Sequence, residues 1–215
     1  SGIEPEFAEL ESDNKLLCCG SIINAAKDGD KIWGSGVITP DQLTNHNAKY
    51  VCHMARGKLS RDAIRSVGIH APDFAGDPAV LMPFIYSHYI EQITPDFYMG
   101  VFPHVCSYEE FIKHDQRIKN IPIFDVTAGI KEVIQKIKRC KIILTESLHV
   151  MIVAEALGIP TLMVQMWTGH KYDFAWKFKD YYSTTGREFI KPILWNETKS
   201  LETDIENALE EEPQP

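Results

Sequence analysis

A chain of 215 residues, 44% hydrophobic and 24% charged, can bury a real core as one domain or two small ones. Its formal charge of −8, with Lys and Glu mixed along the chain, excludes a binder of phosphate backbones, which would need a basic face, so nucleic acid is not an expected partner. Five cysteines without a CxxC pair point to buried thiols in a reducing compartment; with no apolar run near the roughly 18 residues of a membrane span and no signal peptide in SGIEPEFAELESDNK, the chain reads as cytoplasmic.

Residues 1–16 read as a flexible start, and SGIEPEF has the look of a cloning remnant. An N-terminal half, 17–90, follows. KLLCCG, KIWGSGVI and KYVCHMA read as strands, and SRDAIRSVG reads as a helix with Ser60 as N-cap and Gly68 as its stop. FAGDPAVLMP closes this half, with the boundary placed between Pro83 and Pro95. The second half, 91–212, takes strand DFYMGVFPH, helix SYEEFIKHDQRI, strand IPIFDV, helix AGIKEVIQKIKRC, strand KIILT, helix SLHVMIVAEALG and strand PTLMVQ. A final amphipathic helix lies in LETDIENALEEEPQP, and there is no internal repeat. Short apolar runs alternating with helical patterns imply α/β layering around a mostly parallel sheet.

The stretch TESLHVMIVAEALGIPTLMV carries the sharpest local signals. Ser147 suits an N-cap, Gly158 a C′ position, and Pro160 blocks continuation. Between them the helix is apolar nearly all round, Glu155 being its one charge, so it should pack against the sheet. His149 falls in its first turn, just past the carboxyl end of strand KIILT, where open α/β sheets place ligands and free N–H groups favour an anion. An imidazole there either adds a proton donor to an anion site or merely satisfies a backbone carbonyl. With no HExxH and no CxxC pair, the sequence gives no indication of a built-in metal site.

Six segments, CGSIINAAKDGDKIWGSGV, ARGKLSRDAIRSVGI, FAGDPAVLMP, VFPHV, ILTESLHVMIVAEALGIPTLMV and KFKDYYSTTG, together resemble the polysaccharide pyruvyltransferases, of the xanthan ketal pyruvate transferase type. The resemblance spans roughly residues 19–186. Two positions depart from it: Glu146 stands where the family usually has serine, and Val150 where it has glycine. The family's glycine-rich NxGD-like segment is not found, so the N-terminal half is expected to be incomplete. The resemblance implies two Rossmann-like halves in a GT-B-like arrangement. It also implies transfer of pyruvate from phosphoenolpyruvate onto a sugar of a cell-surface polysaccharide or exopolysaccharide, or a lipid-linked oligosaccharide precursor, as a ketal. No cofactor is then needed, since phosphoenolpyruvate is the donor substrate, and peripheral association with the inner face of a membrane fits such an acceptor.

That chemistry needs an acid to protonate the donor's methylene carbon and cationic or N–H clamps for its phosphate and carboxylate. His149 is the expected acid. Arg56, in the ARG motif, is the expected donor clamp, joined by Ser147, His104 and Lys177. Asp77 and Ser35 are the expected acceptor contacts. Each has a plainer alternative: Asp77 as a turn former, the WGSG glycines as a tight turn, His104 as a loop cap, and the aromatics around Lys177 and Lys179 as core. Two other functions stay open, a GT-B-type glycosyltransferase using a nucleotide sugar and a non-catalytic saccharide-binding remnant.

Overall fold

The computed structural model describes residues 8–109, 112, 121–165, 175–195 and 201–211. It divides into two compact units. The first takes Ser1–Pro78 and Trp176–Phe189; the second takes Ala79–Ala175 and Ile190–Pro215. The uninterrupted halves drawn at 90/91 differ from this division, because the chain changes unit at Pro78 and later returns one helix to the first. The return has a packing cause. Trp176 rests on the core of the first unit, and Phe178, Tyr181 and Tyr182 are all buried.

In the first unit, strands β1 (Leu16–Leu17), β2 (Lys31–Trp33) and β3 (Val51–Met54) lie in that order and run parallel, with Leu17 opposite Ile32 and Ile32 opposite Cys52. Period-two alternation sends Leu17, Ile32 and Cys52 into a core with Ile23, Val37, Leu43 and Ile64. The opposite face carries Leu16, Trp33 and Val51, all exposed. Helix α1 (Lys58–Ser66) turns Ala63 and Ile64 inward and is stopped by Gly68, whose φ of 82° is the left-handed conformation that a glycine adopts at least cost. Ser60 is not its N-cap. Gly57 holds that position without a side chain, and Ser60 sits inside the first turn, facing the core.

In the second unit, α2 (Met82–Ile85) and α3 (Ser87–Ile90) are single turns ahead of a four-stranded parallel sheet. Its strands are β4 (Phe97–Phe102), β5 (Cys140–Thr145), β6 (Thr161–Gln165) and β7 (Ile193–Leu194), in chain order. The expected helix over 107–118 is helical at Tyr108, Glu109 and Ile112 and otherwise lies outside the described residues. The expected strand over 121–126 makes only an isolated parallel bridge, Ile123 to Val101, because Pro122 has no N–H to give a ladder. Helices α4 (Ile130–Lys138) and α5 (Leu148–Ala156) contact β5, and α7 (Leu201–Glu211) contacts β6. Met99, Val101, Ile142, Leu144, Leu162 and Val164 form a core with Trp195, just after β7, and with Ile205 of α7. Helix α5 ends as read from its sequence: Gly158 has φ 69°, and the amides of Gly158 and Ile159 return to the carbonyls of Glu155 and Ala154. Among the described residues no helix is long and apolar enough to cross a membrane.

Candidate active site

In the first unit the motifs meet at the carboxyl ends of the three parallel strands. Gly20 and Ser21 follow β1, Ser35 and Gly36 follow β2, and Arg56 follows β3. The segment Ala75–Gly76 bridges back to Ala55, which brings Asp77 to the same edge. Gly34, at φ 96°, leaves room for the Pro78 ring, which a Cβ there would strike. Ser35 is fully buried and donates from Oγ to the Gly20 carbonyl at 2.8 Å. Asp77 is buried too, with Oδ1 3.7 Å from the Cys19 thiol.

Arg56 is the hub of this edge. Its Nε donates to Asp180 Oδ2 at 3.0 Å, Nη1 to Ser21 Oγ at 2.6 Å and Nη2 to the Val37 carbonyl at 2.8 Å. The guanidinium lies against Gly36, where a Cβ would collide with it. The residue has 0% exposure, and so does Asp180. Asp180 belongs to helix α6 (Trp176–Tyr182) and also caps α1: Oδ1 accepts from the Ser60 amide at 2.8 Å and Oδ2 from the Ser60 hydroxyl at 2.6 Å. Ser183 Oγ accepts from the Lys58 amide at 2.8 Å. A carboxylate at a helix N-terminus is favoured by the orphan amides and the helix dipole. Arg56 and Ser35 are thus covered by protein. Their hydrogen bonds tie the strand-end loops to one another and to Asp180.

In the second unit, Phe102 pairs with Thr145, so β4 and β5 end side by side. His104 leaves one strand end; Ser147 and His149 leave the other. Ser147 holds the N-cap position but makes no side-chain cap bond, because its conformation and the Thr145 hydroxyl, which accepts from the Ser147 amide at 2.9 Å, shape the turn instead. His149 is half-buried in the first turn of α5. His104 is half-buried as well. Its Nδ1 accepts from the Cys106 amide at 3.3 Å, and its own amide donates to Glu146 Oε2 at 3.2 Å. The Ser107 hydroxyl donates to Glu146 Oε2, and both residues are buried.

Within the units, then, the expected residues form two groups. Arg56, Ser35 and Asp77 gather at the ends of β1 to β3, while His104, Ser147 and His149 gather at the ends of β4 and β5. Lys177 opens α6 in the first unit with its ammonium 5.3 Å from the Phe178 ring centre. Asp180, Ser107 and the grip of Glu146 went unread in the sequence. Asp180 had one signal, a lone acid among the aromatics of KFKDYY. Burial pushes the Cys52 thiol up to about 11 and the Cys140 thiol up to about 12, so both remain protonated core groups. Val150, 4% exposed, points into the core.

His104, Ser147 and His149 stand at the carboxyl ends of adjacent parallel strands, the edge at which open α/β sheets take ligands. The family model for polysaccharide pyruvyl transferase matches residues 19–165, more than half of the chain and the whole run of motifs from Cys19 to the end of β6. The chain belongs to that family and is a transferase enzyme. No curated protein and no solved structure matched.

Proposed function

We propose that the protein moves pyruvate from phosphoenolpyruvate onto two hydroxyls of a saccharide in cell-surface polysaccharide or exopolysaccharide synthesis, as a cyclic ketal. One observation carries the reading: the motif residues of both units stand at the carboxyl ends of parallel strands, with His149 in a first turn that its own N-cap serine leaves unbonded. The donor's phosphate and carboxylate are taken up by N–H groups of that turn, with Ser147, His104 and Lys177 as further contacts. His149 protonates the methylene carbon, which becomes the methyl group of the product. A sugar hydroxyl adds to the resulting oxocarbenium-like carbon, phosphate leaves, and the second hydroxyl closes the ketal. Of the two hydroxyl protons, one offsets that given by His149 and one departs with phosphate. Asp77 is the acceptor-side base. Arg56 and Ser35 act by holding the strand-end loops.

The GT-B-like pairing implied by the resemblance belongs to this proposal, as does a lipid-linked acceptor at the inner face of a membrane. Support for the membrane comes from the second unit, where Val80, Leu81, Phe84 and Ile85 are exposed, Phe84 by 81%. Lys131 stands 3.9 Å above the neighbouring Tyr89 ring, giving this apolar, aromatic surface a cation suited to anionic headgroups. Calorimetry with phosphoenolpyruvate and with nucleotide sugars tests the donor. Heat with phosphoenolpyruvate alone supports the reading, heat with a nucleotide sugar alone makes the protein a glycosyltransferase, and no heat with millimolar donor makes it a saccharide-binding module.

A further inference from the structure

Glu146 stands just before the Ser-Leu-His triplet that opens α5, and its surroundings show what a glutamate does there. The carboxylate has 0% exposure and lies at the turn between β5 and α5. Two donors reach it from the loop that leaves β4: the His104 amide at 3.2 Å and the Ser107 hydroxyl. That loop is also closed on itself, the Ser107 amide donating to the His104 carbonyl at 2.9 Å. The strand ends below it are joined by the Thr145 hydroxyl, which donates to the Phe102 carbonyl at 2.8 Å. A serine at 146 would carry its oxygen on Cβ and end short of both donors. Glutamate carries its oxygens on Cδ and spans the gap.

We propose that Glu146 is a positioning residue of the donor site, which grips the β4 exit loop and so fixes His104 at the strand edge it shares with Ser147 and His149. The inference rests on the reading that the donor binds at these strand ends. A buried carboxyl group needs hydrogen-bond partners, and here the N–H and O–H donors of the loop supply them, so the contact that satisfies the acid also orders the loop bearing the histidine. Ser107 is the matching half of the device.

The test is a double-mutant cycle read in the KM for phosphoenolpyruvate and in kcat, from phosphate release with a saccharide acceptor. Glu146→Ala should raise the donor KM about tenfold, the size expected for a net loss of about one hydrogen bond, while kcat changes little. Glu146→Gln keeps an oxygen acceptor for both donors and should restore the KM to near the wild-type value. His104→Ala should match Glu146→Ala, and the double variant should be no worse than His104→Ala alone. Should Glu146→Ala fail to fold, Ser107→Ala with His104→Ala runs the same cycle. Additive losses in the cycle, or a Gln variant as impaired as the Ala variant, would overturn the proposal while leaving the donor reading in place. A wild-type protein that releases no phosphate from phosphoenolpyruvate removes the donor reading itself.

Discussion

Replacing Arg56 by lysine separates the two roles that an arginine in this motif can have. If Arg56 touched the donor, Arg56→Lys would weaken donor binding and leave the fold intact. The structure assigns a different outcome. Three nitrogens of one buried guanidinium reach Asp180, Ser21 and Val37 in three directions. A lysine ammonium is a single point on a flexible stem and can stay beside Asp180 only by abandoning the other two. The charge pair survives, so the larger penalty of a buried uncompensated carboxylate is avoided. Two hydrogen bonds to a charged group are lost, each worth about 1.5–3 kcal/mol, with part recovered by relaxation, which gives a loss of roughly 2–4 kcal/mol. Against a total of about 5–15 kcal/mol this is readily measured. Urea denaturation followed by circular dichroism should show a lower midpoint with an unchanged slope. Stability within about 0.5 kcal/mol of wild type, together with weakened donor binding, would refute the scaffold role.

Val150→Gly restores the family's usual residue but empties a core position; loss of its side-chain carbons at about 0.8 kcal/mol each plus about 1 kcal/mol for helical glycine predicts a cost of about 3 kcal/mol, read from the unfolding midpoint, and no gain in turnover. Burial pushes the Asp30 carboxyl up, but hydrogen bonds from the Lys15 side chain and the Lys27 and Lys15 amides, with the Lys15 charge, outweigh it and hold the group below 3.8. Its stabilisation is therefore complete above the ordinary carboxylate range and is lost as pH falls through the lowered folded-state value, so the melting-temperature advantage of wild type over Asp30→Asn should be full at pH about 6 and shrink below pH about 4. Phe84→Asp should reduce sedimentation with vesicles containing anionic lipid and leave donor affinity in solution unchanged; equal sedimentation would remove the membrane part of the proposal.

What the sequence disclosed was governed by local chemistry. Gly68 and Gly158 end helices because a left-handed residue there favours glycine, and Pro160 confirms the second stop, so the C-terminal ends of α1 and α5 were legible nearly to the residue. Parallel strands followed from short apolar runs between helical patterns. What escaped depends on pairs far apart in the chain. Ser60 has the composition of an N-cap, yet Asp180, 120 positions on, caps that helix, and no local pattern shows it. The same separation hid the return of Trp176–Phe189 to the first unit and the burial of Arg56. Glu146 was visible as a departure from the family pattern, but its meaning needed Ser107, which lies 39 residues away.

Whether His149 supplies a proton to phosphoenolpyruvate is measured directly by paired variants at that position. The ring is half-buried at the polar edge of the sheet, so His149→Ala should cost no more than about 1 kcal/mol of stability and abolish phosphate release in the presence of acceptor. His149→Gln keeps size and hydrogen bonding without a titratable proton; it should bind phosphoenolpyruvate, seen by calorimetry, and release no phosphate. Near-native phosphate release by the Gln variant would contradict the acid role and leave the imidazole a hydrogen-bonding fixture.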